Sequence, residues 1–104
     1  MKIEGLALPY PNPFKNREGT TLGYRLNKHA YIEILFYNSR GYEAGKKICE
    51  EGDVGGQADY NFVPLTENDF YGELSAGIYF FIIISEDKDV LAKGKLAVIP
   101  WKNI

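Results

Sequence analysis

One cysteine, one histidine, one tryptophan and one methionine are all that the 104 residues hold of these types. A lone Cys49 excludes an internal disulfide. A lone His29, beside the turn-like Asn27-Lys28, leaves a Ser-His-Asp or Cys-His arrangement without a natural base, and no serine sits in a nucleophile-elbow context. Positive charge is not in excess: 12 Lys and Arg stand against 14 Asp and Glu, for a net charge of -2. That balance argues against tracking a phosphate backbone, so no nucleic-acid partner is expected. Runs such as Lys46-Lys47 and Glu50-Glu51 are too short to act as charged tails. The longest apolar run, Ile78 to Ile84, has the length of a strand and falls far short of the roughly 20 residues of a membrane-spanning helix. Met1-Lys2-Ile3-Glu4 leads into Gly and Pro, not into the apolar core of a signal peptide. The chain therefore reads as either cytoplasmic or a mature piece of a longer precursor.

What the chain has instead is aromatic residues and turn formers. Eight Tyr, six Phe, 11 Gly and 5 Pro favour short strands joined by frequent turns. Period-two alternation recurs and helical periodicity does not. Ile3 to Leu8 reads as a short edge strand, followed by three prolines in Pro9-Tyr10-Pro11-Asn12-Pro13-Phe14, which forbid a central strand. Thr20 to Leu26 is the first clear strand, with Leu22, Tyr24 and Leu26 on one face. Ala30 to Tyr37 places Ile32, Ile34 and Phe36 inward and Tyr31, Glu33, Leu35 and Tyr37 outward. Asn38-Ser39-Arg40-Gly41 reads as a turn closed by a left-handed glycine. Tyr42 to Cys49 follows, then an acidic, glycine-rich loop to Gln57, then a strand from Ala58 that Pro64 is expected to end. Gly77 to Ser85 and Val90 to Ile99 flank the charged tip Glu86-Asp87-Lys88-Asp89. Six or seven such strands predict one all-β antiparallel sandwich over residues 1–104, with a Pro-rich opening segment at 9–14 and the sandwich proper at 20–99.

Candidate chemistry is sparse. Glu50, Glu51, Asp53, Glu67, Asp69, Glu86, Asp87 and Asp89 fall in loops, where solvated charge explains them better than a glycosidase pair. Glu50, Glu51 and Asp53, or Asn68 and Asp69, lack the dense spacing of a calcium loop. Gly52, Gly55 and Gly56 follow no phosphate-binding pattern. No catalytic residue, metal or cofactor is therefore expected. Tyr31, Tyr37, Tyr42, Tyr71 and Trp101 are candidates for a sugar-stacking platform, or else for ordinary cross-strand pairs.

Both faces of the strand from Gly77 to Ser85 are apolar: Ile78, Phe80, Ile82 and Ile84 on one, Tyr79, Phe81 and Ile83 on the other. A sandwich strand buries one face against its core, so the second needs cover. The opening segment with Phe14 could supply it, as could another domain or subunit. Phe81, Ile83 and Trp101 are the residues expected on such an interaction surface.

Tyr10-Pro11-Asn12-Pro13-Phe14, then Thr20-Thr21-Leu22-Gly23-Tyr24-Arg25-Leu26, then Ile32 to Gly41, resembles the start of the C-terminal Ig-like domains of bacterial secreted proteins. These include type IX secretion sorting domains and the Ig-like domain of the flagellar hook-capping protein. Asn68-Asp69 with Gly72, Ser75-Ala76-Gly77-Ile78-Tyr79-Phe80 and Lys93 to Ile99 extend the resemblance over residues 8 to 99. Phe62 stands where that family usually has Trp, and Pro100-Trp101-Lys102-Asn103-Ile104 lacks the usual short basic ending. The resemblance implies a fibronectin-III-like sandwich and scaffold roles for Tyr10, Pro11, Asn12, Pro13, Phe14, Gly41, Phe62, Gly72, Gly77 and Tyr79. It further implies an extracellular or cell-surface module without turnover, serving export, sorting, attachment or subunit assembly. Its partners would be other domains or subunits, secretion machinery or further copies of itself. A carbohydrate-binding module and a filament or surface-layer subunit are the alternatives.

Overall fold

The structure is a computed structural model that describes residues 1–101. The described residues form eight strands: β1 (Ile3–Tyr10), β2 (Phe14–Lys15), β3 (Thr20–Leu26), β4 (Ile32–Asn38), β5 (Glu43–Cys49), β6 (Asp59–Leu65), β7 (Gly77–Ser85) and β8 (Val90–Ile99). A 3-10 turn, Glu67–Asp69, interrupts the long connection between β6 and β7, and Thr66 caps it in a reciprocal capping box with Asp69. The strands lie in two sheets, ordered β1-β3-β6 and β2-β8-β7-β4-β5. Every pairing is antiparallel except β2 with β8, where Phe14 and Lys15 run parallel to Val98 and Ile99.

The fold is all-β, as the alternation predicts, and the boundaries of β3, β7 and β8 coincide with the expected ones. The expected count of six or seven strands is one or two short of the eight found, because the two-residue β2 grows out of the Pro-rich segment. β1 runs through Pro9 to Tyr10 instead of stopping at Leu8, and Pro64 lies inside β6 instead of ending it. Both prolines are tolerated for one reason: β1 and β6 are the outer strands of their sheet, where a missing N–H breaks no ladder.

The core is the space between the two sheets. Leu22, Tyr24 and Leu26 of β3, with Val63 and Leu65 of β6, face Ile32, Ile34 and Phe36 of β4 and Tyr79, Phe81 and Ile83 of β7. Phe14 enters the same core from β2. The expectation for β7 is thereby corrected. Phe81 and Ile83 are 1% and 0% exposed and form no interaction surface. Ile78, Phe80 and Ile82 are the face turned away from the core. The opening segment does not cover that face. Its partial cover comes from neighbours in the same sheet, with the Lys95 ammonium 6.0 Å from the centre of the Phe80 ring.

Glu33 also departs from expectation. It faces outward from β4 but is buried, held by Lys88 at 2.8 Å and Lys46 at 3.1 Å. These lysines hold its carboxyl below the ordinary value of 4.5. The cover is a pair of lysine side chains laid over the sheet, not the sandwich interior, so solvent screening keeps the stabilisation modest.

Candidate functional site

The outer face of the three-stranded sheet carries a concavity. β1 pairs with β3 through Glu4–Arg25 and then Leu8–Gly23, so Gly5, Leu6 and Ala7 stand opposite the single Tyr24. The surplus forces β1 to arch outward, and Gly5 takes the positive φ of 78° that the arch needs. Leu6 is left 77% exposed at its crest. β6 forms the opposite wall, with Phe62 beside Gly23 and Tyr60 beside Arg25. Gly23 in the middle has no side chain, and the result is a trough of about 600 Å³.

The trough is built from apolar surface. Leu6, Leu8 and Tyr10 line one side, Tyr60 and Phe62 the other, and all five are exposed. The Tyr60 and Phe62 rings lie 6.4 Å apart and within 12° of parallel. One end is charged: the Arg25 guanidinium lies 2.8 Å from Asp59, 3.7 Å from Glu4 and 5.3 Å from the centre of the Tyr60 ring. Of these charged groups, Glu4 and Arg25 line the trough itself. Apolar concavity with a few converging polar groups is the usual character of a binding site.

The residues singled out in the sequence divide between this trough and the scaffold. Tyr10 and Phe62 belong to the trough. Pro11, Asn12, Pro13 and Phe14 tie the two sheets together. The Pro11 carbonyl accepts from the Thr20 hydroxyl at 2.6 Å, and the Asn12 side chain takes the Ala97 N–H at 2.8 Å and donates to the Lys95 carbonyl at 3.3 Å. The Tyr10-Pro11 and Asn12-Pro13 bonds are cis. Gly41, Gly72 and Gly77 have φ of 87°, 69° and 145°. Open space surrounds all three, so backbone angle explains Gly77, not tight packing. Tyr79 is buried, and its hydroxyl donates to the Ser75 carbonyl at 2.9 Å. Trp101 lies under the Arg17 guanidinium, 4.6 Å from the ring centre. Lys102, Asn103 and Ile104 lie outside the described residues.

The residues proposed for sugar stacking fall in differing surroundings. Tyr31 lines an acidic cleft at one end of the sandwich, with His29, Glu50, Glu51, Glu86 and Asp87. Tyr37 is paired across from Glu43, Tyr42 precedes it, and the Tyr71 hydroxyl donates to its carboxylate. Among the described residues, no group of three or more His, Cys, Asp and Glu could hold a metal ion. His29 in the cleft accepts the Ala58 N–H on Nδ1 at 2.9 Å, which gives it a structural task. Cys49 is buried beside Tyr24, and burial pushes both the thiol and the phenol up, away from nucleophilic use.

Leu6, Leu8 and Tyr60 are the trough residues that sequence reasoning missed. Their signal was present but faint. An alternating strand that exposes Tyr60, Phe62 and Pro64 while burying Asn61 inverts the usual polarity of a half-buried strand. Comparison with protein-family models and with curated proteins finds no match for the chain. Among the described residues, no helix is long and apolar enough to cross a membrane.

Proposed function

We propose that this chain is an Ig-like, fibronectin-III-like sandwich that attaches or assembles the protein carrying it at the cell surface or outside the cell. The strand order supports the fold part of this reading. A three-stranded sheet packed on a larger one, with a short first-strand extension running parallel to the last strand, is consistent with an Ig-like arrangement. The Tyr79 hydroxyl reaching back to the Ser75 carbonyl, close to the start of β7, has the form of the tyrosine corner of such sandwiches.

The observation that carries the functional part is the exposed trough on β1-β3-β6. Its side chains adhere and orient; they bring together no nucleophile with a base. Contact is therefore the activity proposed, with a protein partner as its object. The resemblance to sorting and hook-capping domains points the same way, toward export, anchoring or subunit assembly. The test is made in cells that produce the protein carrying this chain. Export and surface retention are compared with residues 1–104 present and removed. Lost retention is the expected result, and unchanged export and retention would overturn the reading.

A further inference from the structure

The face that carries the trough is complementary to itself, and this step rests on the attachment reading above: we propose that the β1-β3-β6 faces of two copies of this chain pack together as a closed two-fold dimer, the β1 crest of each seated in the trough of the other. Area comes first. Leu6, Leu8, Tyr10, Tyr60 and Phe62 are between 60% and 81% exposed. At about 200 Å² for a whole large side chain, they present roughly 700 Å² of mostly apolar surface. The largest apolar patch of a typical monomer is about 300–600 Å², and a specific complex of standard size buries about 800 Å² on each partner.

Shape selects a second copy. A two-fold contact needs one surface that fits itself. Here a ridge and a furrow lie side by side. Leu6 and Leu8 stand up from β1, and Gly23 leaves β3 without a side chain one strand spacing away, about 4.8 Å. A two-fold axis running along the strands, midway between β1 and β3, lays the β1 of each copy over the β3 of the other. Leu8 is the register partner of Gly23 within one chain, so it comes over Gly23 of the second copy. Phe62 and Tyr60 of that copy then flank it. Sheets stacked this way follow the aligned packing of β-sandwiches.

Charge selects the same axis. Glu4 and Arg25 are the charged lining residues, one of each sign, and they are register partners on β1 and β3. Exchanging β1 for β3 sets Glu4 of each copy over Arg25 of the other, which makes two opposite-charge pairs. Lys2 and Asp59, at the same end but outside the lining, are again one of each sign. The end is therefore balanced and favours neither an acidic nor a basic partner. An axis across the strands would set both lining charges against the uncharged end around Tyr10 and Thr21 and desolvate them without partners. The outer face of the larger sheet does not pair with itself in this way. Lys93 and Lys95 stand opposite Ile82 and Phe80 there, and a second copy would bring like charges together.

The test is sedimentation equilibrium of the full 104-residue chain over a wide range of concentration. The expected result is a monomer–dimer equilibrium with a dissociation constant of about 1–100 µM and no larger species. Phe62→Asp and Leu8→Asp change exposed side chains, so both variants should fold with an unchanged circular-dichroism spectrum. Each should weaken dimerisation about tenfold or more. Glu4→Arg and Arg25→Glu should each weaken it as well. An equimolar mixture of those two should dimerise more tightly than either alone, because opposite charges then face each other at both contacts. A monomer at every concentration, association that grows without limit, a dimer untouched by Phe62→Asp and Leu8→Asp, or a mixture no tighter than its components would overturn the proposal. If the chain is monomeric while its removal still releases the parent protein from the surface, this inference falls and the attachment reading stands.

Discussion

The Asn61 side chain, fully buried in β6, accepts a hydrogen bond from the Gly55 backbone N–H at 2.8 Å. It also takes the Gln57 N–H at 3.3 Å and donates to the Gln57 and Asp59 carbonyls at 2.9 and 3.2 Å. One amide thus folds the glycine-rich loop against the end of the sandwich. Tyr24 reaches the same loop from the core, donating to the Gly55 carbonyl at 2.7 Å. Asn61→Ala strands the buried Gly55 N–H, worth about 1–3 kcal/mol, and removes three part-buried bonds, and should cost about 3 kcal/mol in all. Urea denaturation measures it; a loss under about 1 kcal/mol would mean that the loop does not depend on this side chain.

The two faces of β7 should respond differently to truncation. Phe81→Ala opens a cavity in the core and should cost about 3–5 kcal/mol. Phe80→Ala, on a residue 38% exposed, should cost about 1 kcal/mol. A larger loss from Phe80→Ala than from Phe81→Ala in thermal or urea unfolding would show that the sandwich is the other way round.

Glycine to alanine should have opposite effects at two strand positions. A Cβ on Gly94 would meet the Phe81 ring at 2.6 and 2.7 Å, so Gly94→Ala should destabilise by about 1–3 kcal/mol. A Cβ on Gly23 meets the Phe62 ring at an ordinary 3.5 Å. Gly23→Ala should be neutral or stabilising by up to about 1 kcal/mol, since alanine loses less entropy in a strand. Paired melting curves decide; a destabilised Gly23→Ala would mean that the trough floor is under strain.

Acid should weaken the contribution of Glu33. Lys88 and Lys46 hold its carboxyl below 4.5, so the folded state favours the charged form more than the unfolded state does. The stabilisation is therefore complete above the ordinary carboxylate range and is lost as pH falls through the lowered folded value. Urea midpoints at pH 7 and pH 3 should differ more in the parent than in Glu33→Gln. An identical pH dependence in the two proteins would show that the lysines do not engage it.

Cys49 should resist modification until the chain opens. Its thiol is 3% exposed and its ionisation is pushed up by burial. Iodoacetamide should label it only at the rate of opening, so labelling should accelerate sharply across the urea transition. Rapid alkylation of the native protein would contradict the packing around Tyr24 and Gly55.

Much of the scaffold was legible because each signal was local. The alternation of Leu22, Tyr24 and Leu26 marks their shared face, and all three are in the core. Asn38 to Gly41 reads as a turn from its composition, and Gly41 donates back to the Asn38 carbonyl at 2.9 Å. Pro64 misled because a proline ends a central strand but not an edge strand, and edge position is a property of the assembled sheet. The trough was not legible for the same kind of reason. Leu8, Gly23 and Phe62 form one row across three strands, although long stretches of chain separate them.

By itself the amino-acid order determined which residues share a side of each strand and where the chain turns. Tertiary structure alone decided which side of Gly77–Ser85 faces the core and where an exposed concavity arises. The physical reason is that a period of two assigns neighbours to opposite sides without naming the inner one. When both sides are apolar, only the shape of the opposing sheet chooses between them. Likewise, an outward arch in β1 becomes the wall of a trough only when β3 and β6 are paired beside it.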